Sequence, residues 1–298
     1  MSGEPQYVDL QINGYAGVDF NQDNLAEADL HLACQRLRDD GVAGILATII
    51  TDELPRMTAR LRRIAAIRER DRLVHDVVWG IHIEGPFLNE TPGYAGAHPL
   101  QALRPADVET IKQLDDAAGG LTRLVTLAPE CDRGMKVVRY LAERKILASA
   151  GHCNPSLDEL RAAIDAGLSM FTHLGNGCPM LLDRHDNIIQ RVLALRGRLT
   201  ICFIADGVHV PPMALANYLR LAGIERSIVV TDAISAARLG PGRYPLGSQS
   251  VEIGEDLIAR SADGSHFRRL DGDDAADGRG ASPGGGIVGR RGETAHLR

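Results

Sequence analysis

Eight short runs of β-branched and other apolar residues recur along this chain, at 7–13, 44–50, 77–84, 121–128, 147–152, 170–174, 199–205 and 227–231. Each ends in polar residues, and helical patterning fills the seven intervals, at 25–40, 52–70, 105–117, 133–145, 156–166, 187–197 and 211–223. The runs are near-continuously apolar rather than alternating, which suits parallel strands buried on both faces. Repeated strand–helix units demand right-handed crossovers, and eight of them close most simply into an α/β, TIM-type (β/α)8 barrel. An open doubly wound sheet is the competing arrangement. A length of 298 residues fits one such barrel domain.

Several helix starts carry a local signature. Thr51 precedes Asp52 and Glu53, Pro105 stands at an early helical position, and Ser156 followed by Glu159 reads as a capping box. The end of the chain reads differently. Residues 240–252 suggest a small β excursion, and after Phe267 a Gly-, Asp- and Arg-rich stretch has too few bulky apolar residues to offset the entropy of ordering. The expected organisation is therefore a barrel over 1–260 that lacks a complete eighth helix, and an atypical, poorly ordered tail over 261–298.

A formal net charge of −6 argues against broad attraction to nucleic acid or anionic lipid, which is built on clustered Lys and Arg. The N-terminal residues lack a basic segment followed by an apolar one, and no window approaches the ~20 apolar residues of a membrane span. Cys34, Cys131, Cys153, Cys178 and Cys202 are scattered without paired spacing, as in reduced proteins of the cytoplasm.

In a barrel of this kind, functional side chains gather where the strands' carboxyl ends converge. The polar residues fall there: Gln11 and Asn13, His82 and Glu84, His152, Thr172 and His173, Asp206 and His209, and Thr231 and Asp232. Glu84, His152 and His173 supply one carboxylate and two imidazoles, a set suited to a catalytic zinc ion because it leaves a position free for water. A divalent ion brings the pKa of such a water toward roughly 7 and polarises a carbonyl oxygen. Asp232 is then a candidate to take the water proton and return it to a departing amine. Singly, each residue has a plain structural reading: a strand-end His is often a hydrogen-bonded fixture, and an Asp after a strand is often a helix cap. Their common placement on one rim favours chemistry. His82 shares its side of the strand with Glu84, which directs it toward the barrel interior, and adjacency to His152 does not by itself make Cys153 a ligand.

At these residues the sequence resembles the N-acetylglucosamine-6-phosphate deacetylases of the amidohydrolase superfamily. The matching segments are VDLQINGYAGVDF (8–20), GIHIEGPFLN (80–89), GAH (96–98), APE (128–130), SAGHCN (149–154), THLGNG (172–177), IADGVHV (204–210) and VVTDA (229–233), in the family's order. The resemblance implies hydrolysis of an N-acetyl amide on a sugar phosphate. It assigns Glu84, His152 and His173 to the metal and Asp232 to general acid/base work. His98 and His209 match side chains that hold the sugar and orient the amide, and Asn176 and Gly177 fall where the family meets substrate near the phosphate. Arg184 matches an arginine that reaches the phosphate in a neighbouring subunit, which implies a homodimer, and an arginine fork suits a phosphate dianion.

The sequence departs from the family in three places. Gln11-Ile12-Asn13 replaces the His-x-His that binds a second metal in many amidohydrolases, so one tightly held divalent ion is expected, Zn2+ first and Fe2+ as an alternative. The GNGCPM form of the loop after His173 leaves another N-acetylhexosamine-6-phosphate open as substrate. The small β-sandwich usual in the family is expected to be absent, and the tail after Phe267 raises the expectation of a shifted reading frame or a lost C-terminus, with a catalytically impaired sugar-phosphate-binding homologue as the corresponding alternative.

Overall fold

Eight parallel strands form a single sheet whose neighbours follow chain order: β1 (Tyr7–Ile12), β2 (Val42–Ile50), β3 (Val78–Glu84), β4 (Thr122–Leu127), β5 (Leu147–Ala150), β6 (Met170–Phe171), β7 (Thr200–Ile204) and β8 (Ser227–Val230). The computed structural model describes residues 7–247, 249–255 and 259–261, all within one compact unit. The last strand returns to the first. Ile12 and Ala233 form a parallel bridge, the Asp232 amide donates to the Gln11 carbonyl at 3.0 Å, and the Asn13 amide donates to the Ala233 carbonyl at 2.7 Å. This closure makes a barrel of the sheet, so the rim residues of β1 and β8 stand side by side.

Helices α1 (Glu27–Asp39), α2 (Leu54–Arg70), α3 (Arg72–Val77), α4 (Val108–Ala117), α5 (Lys136–Glu143), α6 (Leu157–Asp165), α7 (Ile188–Ala194) and α8 (Pro212–Ala222) occupy the seven intervals between strands. The capping box at Ser156 is present in full: its hydroxyl accepts from the Glu159 amide at 3.2 Å, and the Glu159 carboxylate accepts from the Ser156 amide at 2.7 Å. Such a cap contributes about 1 kcal/mol. Two other expected starts move. α4 begins at Val108 behind Asp107, whose carboxylate caps the Thr110 amide, so Pro105 lies outside the helix. Thr51 caps nothing at α2; it is buried, and its hydroxyl donates to the Glu84 carbonyl at 3.2 Å. α3 is an addition to the expected seven. Asp71 both ends α2 and caps α3 through the Val74 amide, so the break occupies one residue and leaves the periodicity almost undisturbed.

The apolar core has two parts. Between barrel and helices lies a shell that includes Phe20, Leu30, Leu61, Ile111, Leu141 and Phe203. Inside the barrel, Leu46, Leu124, Met170, Cys202, Ile204 and Val230 form a second, smaller apolar cluster beneath the rim. After β8 the chain makes a small antiparallel sheet, β9 (Gly242–Leu246), β10 (Gln249–Ile253) and β11 (Ala259–Ser261), where a β excursion is expected from sequence. Among the described residues no helix follows β8, as the missing eighth helical pattern implies. The expectation for 262–298 lies outside the described residues. Among the described residues no helix is long and apolar enough to cross a membrane, and all five cysteines are free.

Candidate active site

Glu84 closes β3 and is buried at the rim. Its Oε1 lies 3.2 Å from His173 Nε2 and 3.4 Å from His152 Nε2, so the three residues proposed from sequence as a set meet around one carboxylate oxygen. Burial alone would raise the Glu84 carboxyl, but the two imidazoles hold it well below the usual carboxylate range. The same pairing pushes His173 above its ordinary value against the opposing effect of burial.

Each imidazole is aimed by backbone. His152, at φ +50°, and His173, at φ +33°, both leave their strands in the left-handed region. That region costs of order 1–3 kcal/mol for such residues and persists where the surroundings enforce it. For His152 the surroundings are visible. Its Nδ1–H donates to the Tyr94 carbonyl at 2.8 Å, which fixes the tautomer and presents Nε2 toward Glu84. Two glycines bracket the ring: a Cβ at Gly177 would stand 2.9 Å from His152 Nδ1, and one at Gly96 3.0 Å from Cε1. Gly177, read from sequence as a substrate contact, is the residue whose missing side chain lets the loop close over His152.

His98 joins this cluster. Its ring packs edge-on against His152 with centroids 4.5 Å apart, and burial, then the His152 charge, lowers it to about 3. One ligand atom from each of Glu84, His98 and His152 falls in a group spanning no more than 4.8 Å. The metal set read from sequence, Glu84 with His152 and His173, shares two members with that group, and His98, read from sequence as a residue that holds the sugar and orients the amide, stands beside the carboxylate. The donor types fit a divalent ion, and two buried ring nitrogens, His98 Nδ1 and His173 Nδ1, have no hydrogen-bond partner.

Across the rim, Asp232 also adopts a left-handed conformation, φ +52°, and its Oδ1 accepts from Asn13 Nδ2 at 2.7 Å. Burial, then the Glu84 charge, raises its carboxyl to about 6, with His173, His209 and Asn13 pulling the other way. Gln11 Nε2 donates to Glu84 Oε1 at 3.1 Å. The two amides that replace His-x-His therefore act here as hydrogen-bond donors to the flanking carboxylates. On the loop after β7, His209 Nδ1–H donates to Asp206 Oδ2 at 2.6 Å; although burial pushes Asp206 up, this bond leads the effects that bring it down to about 2. Asp206 falls at the rim by strand counting, and its role as the partner of His209 emerges only in the fold. The i, i+3 spacing from Asp206 to His209 was the available signal.

The remaining candidates separate. Asn176 stays at the rim, its backbone amide donating to the His173 carbonyl at 2.9 Å. Arg184 is exposed on a loop built by Asp183, whose carboxylate accepts from the His185 and Asp186 amides at 3.0 and 2.9 Å. His185 belongs to that turn and not to the buried cluster. Burial drives the Cys153 thiol well above its ordinary value, away from the thiolate a metal would need.

No protein-family model matches the chain. Curated proteins do. The chain is 36% identical over 251 residues to N-acetylglucosamine-6-phosphate deacetylase of Bacillus subtilis (strain 168), covering 84% of this chain and 62% of that protein. It is 32% identical over 260 residues to N-acetylgalactosamine-6-phosphate deacetylase of Escherichia coli O157:H7, covering 87% of this chain and 67% of that one. The chain belongs to the N-acetylglucosamine-6-phosphate deacetylase family of amidohydrolases. Among solved structures, a mutant of the deacetylase from Mycobacterium smegmatis in complex with N-acetyl-D-glucosamine-6-phosphate superposes with a TM-score of 0.77 at 30% identity, over 87% of this chain and 65% of that one. The deacetylase barrel is thus shared, while the chain spans less than two thirds of the Bacillus subtilis relative's length.

Proposed function

We propose that this protein hydrolyses the N-acetyl amide of N-acetylglucosamine-6-phosphate to glucosamine-6-phosphate and acetate. One observation carries the reading: a buried glutamate with imidazole nitrogens at 3.2 and 3.4 Å on a rim that also holds a carboxyl raised to about 6, within a chain of the deacetylase family.

Glu84, His152 and His173 would hold one divalent ion, Zn2+ first, with Fe2+ or another divalent ion as alternatives. Bound there, the ion supplies a Lewis acid that polarises the amide carbonyl and acidifies water. Asp232 accepts a proton from the attacking water and returns it to the amine nitrogen as the carbon–nitrogen bond breaks. In the metal-free chain, burial and Glu84 raise this carboxyl above its ordinary 3.8, toward the range in which one group can both accept and return a proton. His209, held through Nδ1–H by Asp206 and protonated on both ring nitrogens, supplies Nε2–H to the developing oxyanion, and His98 orients the amide. Asn176 and Gly177 contact the sugar phosphate.

Arg184 reaches the phosphate of a neighbouring subunit's substrate in a homodimer. Its exposure supports this, as does its neighbourhood: Met180 and Leu181 are 76% and 92% exposed beside it, an apolar edge suited to contact with a second copy. Neither nucleic acid nor membrane is a partner in this reading, and the compartment is the cytoplasm. A second substrate, N-acetylgalactosamine-6-phosphate, is favoured by the Escherichia coli relative's name and by the altered loop after His173.

The test is acetate release over N-acetylhexosamines with and without a 6-phosphate, with metal analysis of the same sample. Release only from phosphorylated sugars, with one ion per chain, is expected; no release from any of them removes the deacetylase reading. Mixing Arg184→Ala with Asp232→Asn protein tests the dimer, because hybrid dimers would carry one site with both residues intact and regain activity.

A further inference from the structure

Below the rim, the barrel interior is polar on five adjacent strands. Thr48 on β2, His82 on β3, Thr126 on β4, Ser149 on β5 and Thr172 just past β6 are all buried at 2% exposure or less. On β7 and β8 the residues two before the rim aspartates are Ile204 and Val230, both apolar. The proposed ligands lie at the ends of β3, β5 and β6, within the polar arc and not outside it.

The five side chains are linked. Ser149 Oγ lies 2.7 Å from Thr172 Oγ1, Thr172 Oγ1 lies 2.8 Å from Thr126 Oγ1, and Thr126 Oγ1 lies 2.8 Å from His82 Nε2. On its other side His82 Nδ1 lies 3.4 Å from Thr48 Oγ1, which accepts from the Ile12 amide of β1 at 3.0 Å. With the ring proton assigned to Nδ1, every hydroxyl donates once: Ser149 to Thr172, Thr172 to Thr126, Thr126 to His82 Nε2, and Thr48 to the Leu46 carbonyl at 3.4 Å. Valine would fill each threonine's space without the cost of burying a hydroxyl, so stability alone does not call for this layer. What a fully satisfied buried network adds is one defined geometry.

That geometry touches all three ligand positions. His82 is two residues from Glu84 on the same face of β3. Thr172 directly precedes His173. Gly151, which precedes His152, rests on Thr126 and Thr172, since a Cβ there would lie 2.7 Å from Thr126 Cγ2 and 2.9 Å from Thr172 Cβ.

We propose that the belt Thr48–His82–Thr126–Thr172–Ser149 is a positioning device that fixes Glu84, His152 and His173 relative to one another and so sets the affinity of the site for a divalent cation. The inference rests on the metal reading above.

The probe is Co2+, bound by the full chain and followed by chelator competition and by its visible absorption band, alongside thermal unfolding. Thr126→Val is expected to weaken Co2+ binding on the order of tenfold and to shift the band, because cutting the belt between His82 and Thr172 loosens the strand ends that carry the ligands. Thr126→Ser should restore both. Ser149→Ala, which removes only the terminal hydroxyl, should fold even if Thr126→Val does not, and should weaken binding in the same direction. Wild-type affinity and band in either soluble variant overturn the belt's role, as does lowered thermal stability with affinity unchanged. Loss of Co2+ in His173→Ala beside unchanged binding in Thr126→Val rejects the belt alone. Unchanged binding in His173→Ala rejects the metal reading and the belt with it.

Discussion

On the α5 side of the barrel, Val137, Val138 and Leu141 are fully buried against β5, and β3, β4 and β5 bury nearly every residue. On the α8 side, Met213 and Leu221 are 78% and 52% exposed, Ile224 beyond the helix is 77% exposed, and three of the four residues of β8 are only partly buried. The proposed metal ligands sit on the covered side. Asp206, His209 and Asp232 sit on the open one. The difference suggests a division of labour: three ligands held from beneath by the buried belt and the covered helices, and Asp232 and His209 each held at the open rim by a single named hydrogen bond, Asn13 to Asp232 and His209 to Asp206.

The sharpest way to break that division is to remove one member from each side. His152→Ala is expected to lose bound metal and, with it, more than about a thousandfold in turnover, in line with the charge stabilisation and water activation that a metal supplies. Full metal stoichiometry in this variant, read by elemental analysis, would remove His152 from the ligand set. Asp232→Asn should lower turnover on the order of 10²- to 10⁴-fold while metal content stays at the wild-type level. Near-normal turnover would take Asp232 out of the mechanism, and lost metal would merge the two sides that the geometry keeps apart.

Packing gives the same contrast in stability. Leu141→Ala should cost about 2–5 kcal/mol, because Leu141 is fully buried and leaves a cavity. Leu221→Ala should stay within about 0.5 kcal/mol, as for an exposed residue without special contacts. Urea unfolding of both variants measures the difference, and equal losses would mean that the α8 face is covered in solution.

The covered side was also the more legible in sequence. Its strands are near-continuously apolar, and its ligands fall at strand ends, a position that the strand–helix alternation fixes by counting. Ser156 was readable because a capping box is a local pattern. The errors arose where local patterns compete. Pro105 precedes the true cap Asp107 by two residues, and Thr51 is spent on the Glu84 carbonyl instead of on α2. The hydroxyl belt shows a different limit. Thr48, Thr126, Ser149 and Thr172 come from four separate segments, and nothing in any one segment reveals that their oxygens meet; only the inward parity of His82 with Glu84 hinted at it. Gln11 and Asn13 stand out in sequence as amides in place of imidazoles, but their carboxylate partners lie 73 and 219 residues away.

The smallest expected effect concerns the titration of Asp232. Burial first, and the Glu84 charge second, raise its carboxyl from 3.8 to about 6. A raised folded-state value means that the folded chain binds this proton more tightly than the unfolded one. Its contribution to stability is therefore complete below about 3.8 and is lost as pH rises through about 6. Activity has the opposite sign, because only the ionised form can accept the water proton, so kcat/KM should fall as pH drops through the folded-state value. A divalent cation held by Glu84, His152 and His173 favours the charged form of a nearby carboxylate, which moves the transition down. Carbon-13 NMR of labelled aspartate is expected to show Asp232 titrating near 6 in metal-free protein and lower once Zn2+ is added, with the acid limb of kcat/KM following the loaded value. A metal-free titration at the ordinary carboxylate value would mean that water reaches Asp232, and that the open side of the barrel leaves the group more hydrated than its packing implies.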